Sequence, residues 1–509
     1  MTNTNICQRL NVRREVLRLF LYTIVCNLAL INEGATQGYS SVVLPILTSN
    51  TTSDLTLNEM EMPFFASTVP ITAAIGCMLC LITLNYGRRF TMIINSINFS
   101  VGWILIASSY NVPQLFIGRV LTGSSIGFCS PAIEIYLEEI SIPAWREVLT
   151  ITPNIAVSIG VLIVYFLGFV VKNNWRLIAA FFLIPSASLI FCNIFFIRES
   201  SMWLLMRGRK EEAKIALLKI RGLRQETVEF QEEFASMVNY NEQTINLKAS
   251  QNYRIDSSSI KETRQMSCFI WNMWSILKSI RGTILLPEVW KPFVILNLFF
   301  LFQKFSGVYV LIAYSVDIIT RVNVTIDSFL ITVIVGIIQV VVNVITASCS
   351  KKFGRRLISI VSGAGMSISL GALALYLQFF EETGVSVVPL VCILLYVAFA
   401  SFGFFSLPWS MIPELYPTKY VNVLGMLTVI LGFLFEYTAA QLYPLMVRTN
   451  RNATIFFYCI IAIIATVFLT VALPETRGRT KTQVEEAFRG KSQIDQTFSE
   501  TELHQLHVY

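Results

Sequence analysis

Three charged side chains, Glu33, Lys304 and Glu436, stand inside long apolar runs. A charge at the centre of a bilayer costs about 2.5–3.5 kcal/mol on insertion scales, so such residues are expected to face a cavity and to find partners. The chemistry open to them is ion pairing and hydrogen bonding with a polar solute. Glu33, Gln37 and Ser40 fall at i, i+4 and i+7, one face of a helix. Lys304 is expected to pair with Glu436 or, across the molecule, with Glu33; the alternative is a place near a helix end from which it snorkels to water. No nucleophile with a paired base, metal cluster or cofactor loop appears. His504 and His507, the only histidines, lie in the polar tail, and no Gly-x-x-x-x-Gly-Lys-Ser/Thr loop is present to cradle a nucleotide. An enzyme, a metal site, a cofactor and a nucleotide-driven pump thus have no support.

These side chains need helices that cross a membrane. Hydrophobic residues make up 54% of 509 positions and charged residues 14%, and the apolar residues come in blocks. Runs of about 20 apolar residues predict spans near 17–40, 62–84, 91–109, 113–138, 148–171 and 176–197, and again near 292–319, 327–350, 357–380, 386–412, 421–446 and 454–473. Gly87-Arg88-Arg89 recurs as Gly354-Arg355-Arg356, each copy in a short break between apolar runs, which implies two related halves. The expected domains are 1–197, a cytoplasmic linker of short helices over 198–289, 290–473, and a cytoplasmic tail over 474–509. In the linker Ala213, Leu217 and Ile220 share a helix face, and a loosely ordered stretch is expected near 240–265.

Arg9, Arg13, Arg14, Arg88, Arg89, Arg146, Lys351, Lys352, Arg355 and Arg356 all fall on one side of this topology, which the positive-inside rule makes cytoplasmic. Asn-x-Ser/Thr triplets at Asn50, Asn323 and Asn452 fall on the other side and suit glycosylation; a fourth, at Asn98, lies inside a span and reads as chance. The net charge of +7 follows from cytoplasmic loops facing anionic lipid and calls for no nucleic-acid partner. Cys77-x-x-Cys80, within a span, reads as two small packing residues. The first apolar run is long enough to span and lacks a cleavage site, so it should be retained.

Several phrases resemble the sugar porter family of the major facilitator superfamily, in family order. They are Gly118-Arg119, Tyr136-Leu137-Glu138-Glu139, Arg146, Glu199-Ser200-Ser201 with Met202-Trp203-Leu204-Leu205, Gln303-Lys304-Phe305-Ser306-Gly307, Pro408-Trp409 with Glu414, and Pro474-Glu475-Thr476-Arg477-Gly478-Arg479-Thr480. Gly38-Tyr39-Ser40-Ser41 is most similar to the trehalose and hexose facilitators of insects. The resemblance implies an all-α membrane protein of twelve helices in two six-helix bundles rocking about a central site.

It implies sugar contacts at Gln303 and Gln339, at Asn154 in place of the usual Gln, and at Trp409 as a lid. Departures from the pattern are Lys304, Tyr309, Gly432-Phe433, and Glu436 at another polar contact position. Ser40 stands where the family's proton symporters place an Asp, so the expected function is facilitative transport of a hexose or trehalose. Alternatives are a proton-coupled carrier through Glu33, an anion or polyol carrier through Lys304, and a receptor that does not transport. The resemblance assigns gating to Arg88, Arg89, Glu139, Arg146, Glu199, Arg355, Arg356, Glu414 and Glu475, with Leu84, Lys351 and Val421 replacing usual charges. The expected setting is a plasma-membrane monomer with both termini cytoplasmic, in contact with lipid.

Overall fold

A computed structural model describes residues 2–48, 55–142, 145, 149, 152–172, 174–223, 225–252, 287–322, 326–380, 387–417, 420–475, 483 and 487–488. Arg146, Asn50, Asn323, the Thr476 to Thr480 stretch and the linker between 253 and 286 therefore lie outside the described residues, as do the side chains of Arg9, Arg13, Arg14 and Lys351. In lipid every backbone N–H and C=O must be satisfied internally, and the long apolar runs accordingly form helices.

The first half comprises α1 (Thr2–Thr48), α2 (Glu61–Thr83), α3 (Arg88–Ala107), α4 (Val112–Ile140), α5 (Thr152–Val171) and α6 (Trp175–Phe195). Three linker helices follow: α7 (Ser201–Met206), α8 (Lys210–Arg221) and α9 (Val228–Asn252). The second half comprises α10 (Pro287–Phe305), α11 (Val308–Thr320), α12 (Ser328–Phe353), α13 (Arg355–Phe379), α14 (Val388–Phe399), a π-helical turn at Ala400–Phe404, α15 (Leu407–Leu415), α16 (Val421–Thr449) and α17 (Arg451–Ala472). With α10–α11 and α14–α15 each counted as one span, twelve among the described residues are long and apolar enough to cross a membrane.

The face on which α1 begins and α17 ends is the terminal face. On the opposite face, four short loops start helices through side-chain caps: Asn111 accepts from Gln114 N at 2.9 Å, Asn174 from Leu177 N at 3.2 Å, Asp327 from Phe329 N at 3.0 Å and Asn450 from Ala453 N at 3.0 Å. Each satisfies one of the amides a helix start leaves open. Within the first half α1 packs on α5 and α2 on α4; within the second α10 packs on α16 and α13 on α17. The halves meet along α1–α11, α2–α16 and α5–α12.

Four expectations need correction. The first helix starts at Thr2, well before the apolar run, so the charged N-terminal stretch continues the helix. The span expected over 292–319 is broken at Ser306-Gly307, where Gly307 has a left-handed φ of 90°. The span over 386–412 carries the π turn. Where looseness was expected from 240, α9 continues to Asn252. The linker is tied under the first bundle: Arg221 Nη1 donates to the Ile140 carbonyl at 2.8 Å and its Nη2 to Glu233 at 2.5 Å, while Ala213, Leu217 and Ile220 are all buried.

Candidate functional site

The centre of the second bundle is built on α10, α11, α15 and α16. Lys304, the last but one residue of α10, is fully buried, and its Nζ lies 2.6 Å from Glu436 Oε2 on α16. The same ammonium lies 3.1 Å from the centroid of the Tyr309 ring and 5.5 Å from that of Trp409. Trp409 Nε1 donates to Tyr309 Oη at 3.2 Å, Phe405 stacks on Tyr309 at 5.6 Å and Phe300 meets Trp409 edge-on at 5.1 Å. A buried cation is stable only when its lost hydration is replaced. Here one carboxylate and two aromatic faces replace it. Lys304 thus pairs with Glu436 and does not snorkel.

Gln303, beside it, is fully buried, and its Nε2 donates to the carbonyls of Phe404 and, at 3.0 Å, Phe405. Those carbonyls belong to the π turn and its first following residue, so the donor side of this amide is spent on a break in the neighbouring helix, while its Oε1 is buried without a hydrogen-bond partner among the described residues. Gln339 is buried on α12, and Asn154 is half-buried near the start of α5.

The first bundle treats its charges differently. Glu33 on α1 is buried; its Oε2 accepts from Ser130 Oγ at 2.8 Å, and Gln37 Nε2 lies 3.5 Å from its Oε1. Arg119 on α4 is fully buried with neutral partners only among the described residues: Nη1 donates to the Thr36 carbonyl at 3.0 Å and Nη2 to Ser40 Oγ, while the guanidinium lies 4.7 Å from the Phe65 ring centroid and 5.6 Å from that of Tyr39. Among the described residues, Arg119 Nε and Gln37 Oε1 are buried without a hydrogen-bond partner. A cleft between the bundles is lined by Gln37, Ser40 and Arg119 from one side and by Tyr309, Ile312 and Glu436 from the other.

Beyond this cleft, toward the opposite face, the bundles are clasped. Tyr314 departs from helical geometry at φ −128°, ψ 22°. Around it the Val316 N–H donates to Ser41 Oγ at 3.1 Å, and the Ile312 carbonyl accepts from Tyr165 Oη at 2.9 Å. In a regular helix these two backbone groups would bond to each other. The ion pairs Lys172–Asp327 (2.6 Å) and Arg448–Glu59 (3.2 Å) join the same halves near the opposite face, and on the terminal side of Tyr165 the Asn343 Nδ2 donates to Ser158 Oγ at 2.6 Å between α12 and α5.

The model of the family described as sugar (and other) transporter matches residues 27–488. The chain belongs to the sugar transporter family. It is similar to the facilitated trehalose transporter Tret1 of Apis mellifera ligustica, 26% identical with 94% of this chain and 90% of that protein covered. It is also similar to human solute carrier family 2, facilitated glucose transporter member 6, at 25% identity over 93% and 91%. In fold it resembles the proton:xylose symporter XylE bound to 6-bromo-6-deoxy-D-glucose, with a TM-score of 0.71 at 20% identity, covering 93% of this chain and 100% of that one. An inward-open form of XylE matches with a TM-score of 0.70 at 21% identity, over 92% and 99%. The chain is therefore a multi-pass membrane transporter of the major facilitator fold and not an enzyme.

On the terminal face this sugar transporter repeats one arrangement in both halves. Gly87 (φ 137°) and Gly354 (φ 77°) precede α3 and α13 in backbone conformations that a side chain would strain, and a Cβ at either would strike Glu199 or Glu475. The carboxylates take that space: Glu199 accepts from Arg88 N at 2.8 Å and from Arg89 N, and Glu475 from Arg355 N at 3.3 Å. An anion at a helix N-terminus is favoured by the open amides there. Burial holds the Glu199 carboxyl above its usual range, opposed by the backbone amides that bond it.

Arg88 grips Glu139 through Nη2 at 2.8 Å and Nε at 3.2 Å, and Arg355 pairs with Glu414 and Ser410. Arg89 and Arg356 cap helix ends, at the carbonyls of Asn193 and Ile194 and of Thr470. These contacts lie within a bundle, and each ties the end of one helix to the start of another.

Asn452 sits in the first turn of α17 with its Nδ2 3.4 Å from the Leu377 carbonyl, a contact that a glycan would have to displace. Asn98 donates to Ser124 Oγ at 2.8 Å, joining α3 to α4. Sequence reasoning took Arg119 only as part of the motif opening α4. The signal that could have found it was an arginine inside an apolar run opposite Ser40, where an acid would have neutralised it.

Proposed function

We propose that the chain carries a neutral sugar of the hexose or trehalose class down its gradient by alternating access, in the plasma membrane, with both termini, the 198–289 linker and the 474–509 tail cytoplasmic. The observation that carries this reading is the clasp on α11. One helical hydrogen bond is opened and both of its ends are taken by the other bundle, so the contact can be exchanged for an intrahelical one when the bundles rock. On this topology the clasped face is exterior, and the conformation is closed to the outside. The gating role of the Gly-Arg-Arg networks is to keep each bundle rigid as it moves.

Facilitation is favoured by Ser40, which leaves Arg119 facing a hydroxyl instead of a carboxylate. Lys304 is neutralised by Glu436, which removes the donor that an anionic substrate would have needed. A proton-coupled carrier is the second reading, favoured by Glu33, whose described partners are neutral. Counterflow of labelled D-glucose and trehalose in proteoliposomes tests transport itself. Equal uptake at two external pH values, with the gradient otherwise collapsed, is expected; accumulation against a sugar gradient would replace the facilitator with the coupled carrier.

A further inference from the structure

The cleft between the bundles holds unmet hydrogen-bonding capacity of a particular kind. Arg119 Nε is a donor and Gln37 Oε1 an acceptor, both buried without a partner among the described residues, on helices α4 and α1 of the first bundle. Both residues line the cleft, with Ser40 beside them and Glu436 across from them. Leaving a buried donor or acceptor unmade costs about 1–3 kcal/mol each, more for a charged group, and two such groups facing one space point to a ligand that supplies both. A sugar hydroxyl donates and accepts at once, and a pair of adjacent hydroxyls can donate to Gln37 Oε1 while accepting from Arg119 Nε.

On the second bundle, Glu436 uses Oε2 for Lys304 and lines the cleft as a charged acceptor, whereas Gln303 Nε2 is tied to backbone carbonyls. Gln303 Oε1 is also unpartnered among the described residues, but Gln303 does not line the cleft, so the open donor and acceptor of the cleft lie on the face formed by the first bundle. We propose that Arg119 is a substrate-binding residue: with Gln37 it forms a subsite on the first bundle for two adjacent hydroxyls of a neutral sugar, opposed by Glu436. The inference rests on the sugar-transport reading and assigns the contacts within it. A carboxylated sugar fits less well, because Glu436 would face its charge across the same cleft.

The test uses the full chain in proteoliposomes, with D-glucose, trehalose and their monodeoxy derivatives as probes. Arg119→Lys keeps the buried charge but loses the planar fork, and Gln37→Leu keeps the volume but loses the acceptor. Each variant is expected to raise the half-saturation constant about 10-fold with the maximal rate within about twofold, as for loss of one charge-assisted hydrogen bond in binding. The decisive readout is coupling. At least one monodeoxy sugar that the native carrier takes about 10-fold less well should be taken as well as its parent by a variant. If native carrier and both variants penalise the same deoxy positions equally, the assignment fails while transport stands. If D-glucuronate competes better than D-glucose, the neutral-sugar subsite is wrong. If the native carrier exchanges neither glucose nor trehalose, the transport reading fails and this one with it.

Discussion

The two bundles handle buried charge in opposite ways. The second bundle closes its lysine on its own glutamate and wraps the pair in Tyr309 and Trp409, so the buried charge of Lys304 is met within the bundle. The first bundle leaves Arg119 and Glu33 among neutral partners, with a donor and an acceptor unfilled. A completed ion pair contributes rigidity and shape, while an incomplete one keeps capacity for something that arrives. The comparison therefore divides the site into a fixed wall and a receptive wall.

The division is broken most directly at Lys304. Lys304→Met strands Glu436 and should cost about 3–5 kcal/mol, seen as a large drop in thermal unfolding temperature in detergent, whereas Lys304→Met with Glu436→Gln should recover most of it. A single variant as stable as the parent would mean that the second bundle does not depend on its pair.

Arg119→Met tests the receptive wall in the same assay. It removes bonds to the Thr36 carbonyl and Ser40 without stranding a carboxylate, so about 1–2 kcal/mol is expected, clearly less than for Lys304. A cost equal to that of Lys304→Met would show that Arg119 has an acidic partner.

Glu33→Gln sharpens the contrast further. The amide oxygen can still accept from Ser130, and stability should stay within about 1 kcal/mol of the parent. A loss of several kcal/mol would place a cation beside Glu33.

The smallest effect belongs to the rim. Lys172 and Asp327 are partly exposed, and Asp327→Asn should cost about 0.2–1 kcal/mol. The hydrogen bond from Lys172 holds the Asp327 carboxyl below its usual value. The bond is therefore intact above the ordinary carboxylate range and is lost as pH falls through the lowered value. Stability scans in acid should show that loss in the native chain and not in Asp327→Asn.

The spans were legible because about 20 consecutive apolar residues leave the backbone no other way to satisfy itself in lipid. Lys304 and Glu436 were legible because two unlike charges in apolar runs must meet something. The broken spans were not. The π turn is held by Gln303 from a residue about a hundred positions away, and the kink at Tyr314 by Ser41 and Tyr165 of the other bundle. Contacts that decide such breaks leave no mark in local hydropathy. Gln303 shows the same limit: its motif implies a contact with solute, and nothing in it foretells that its Nε2 is given to the backbone of the π turn.

The clasp on α11 has a thermodynamic consequence. In the proposed alternating access, once the bundles part, the Val316 N–H and the Ile312 C=O can close on each other, and Ser41 and Tyr165 regain water. Two bonds between the bundles give way to one backbone bond and two bonds to water, and one water–water bond is given up, so this step is close to thermoneutral and its own barrier is the moment at which all four groups are unpaired. On the proposed facilitative reading, two conformations near one free energy let the carrier turn over in either direction at similar speed, while the sign of net flow follows the concentration difference whatever that balance is.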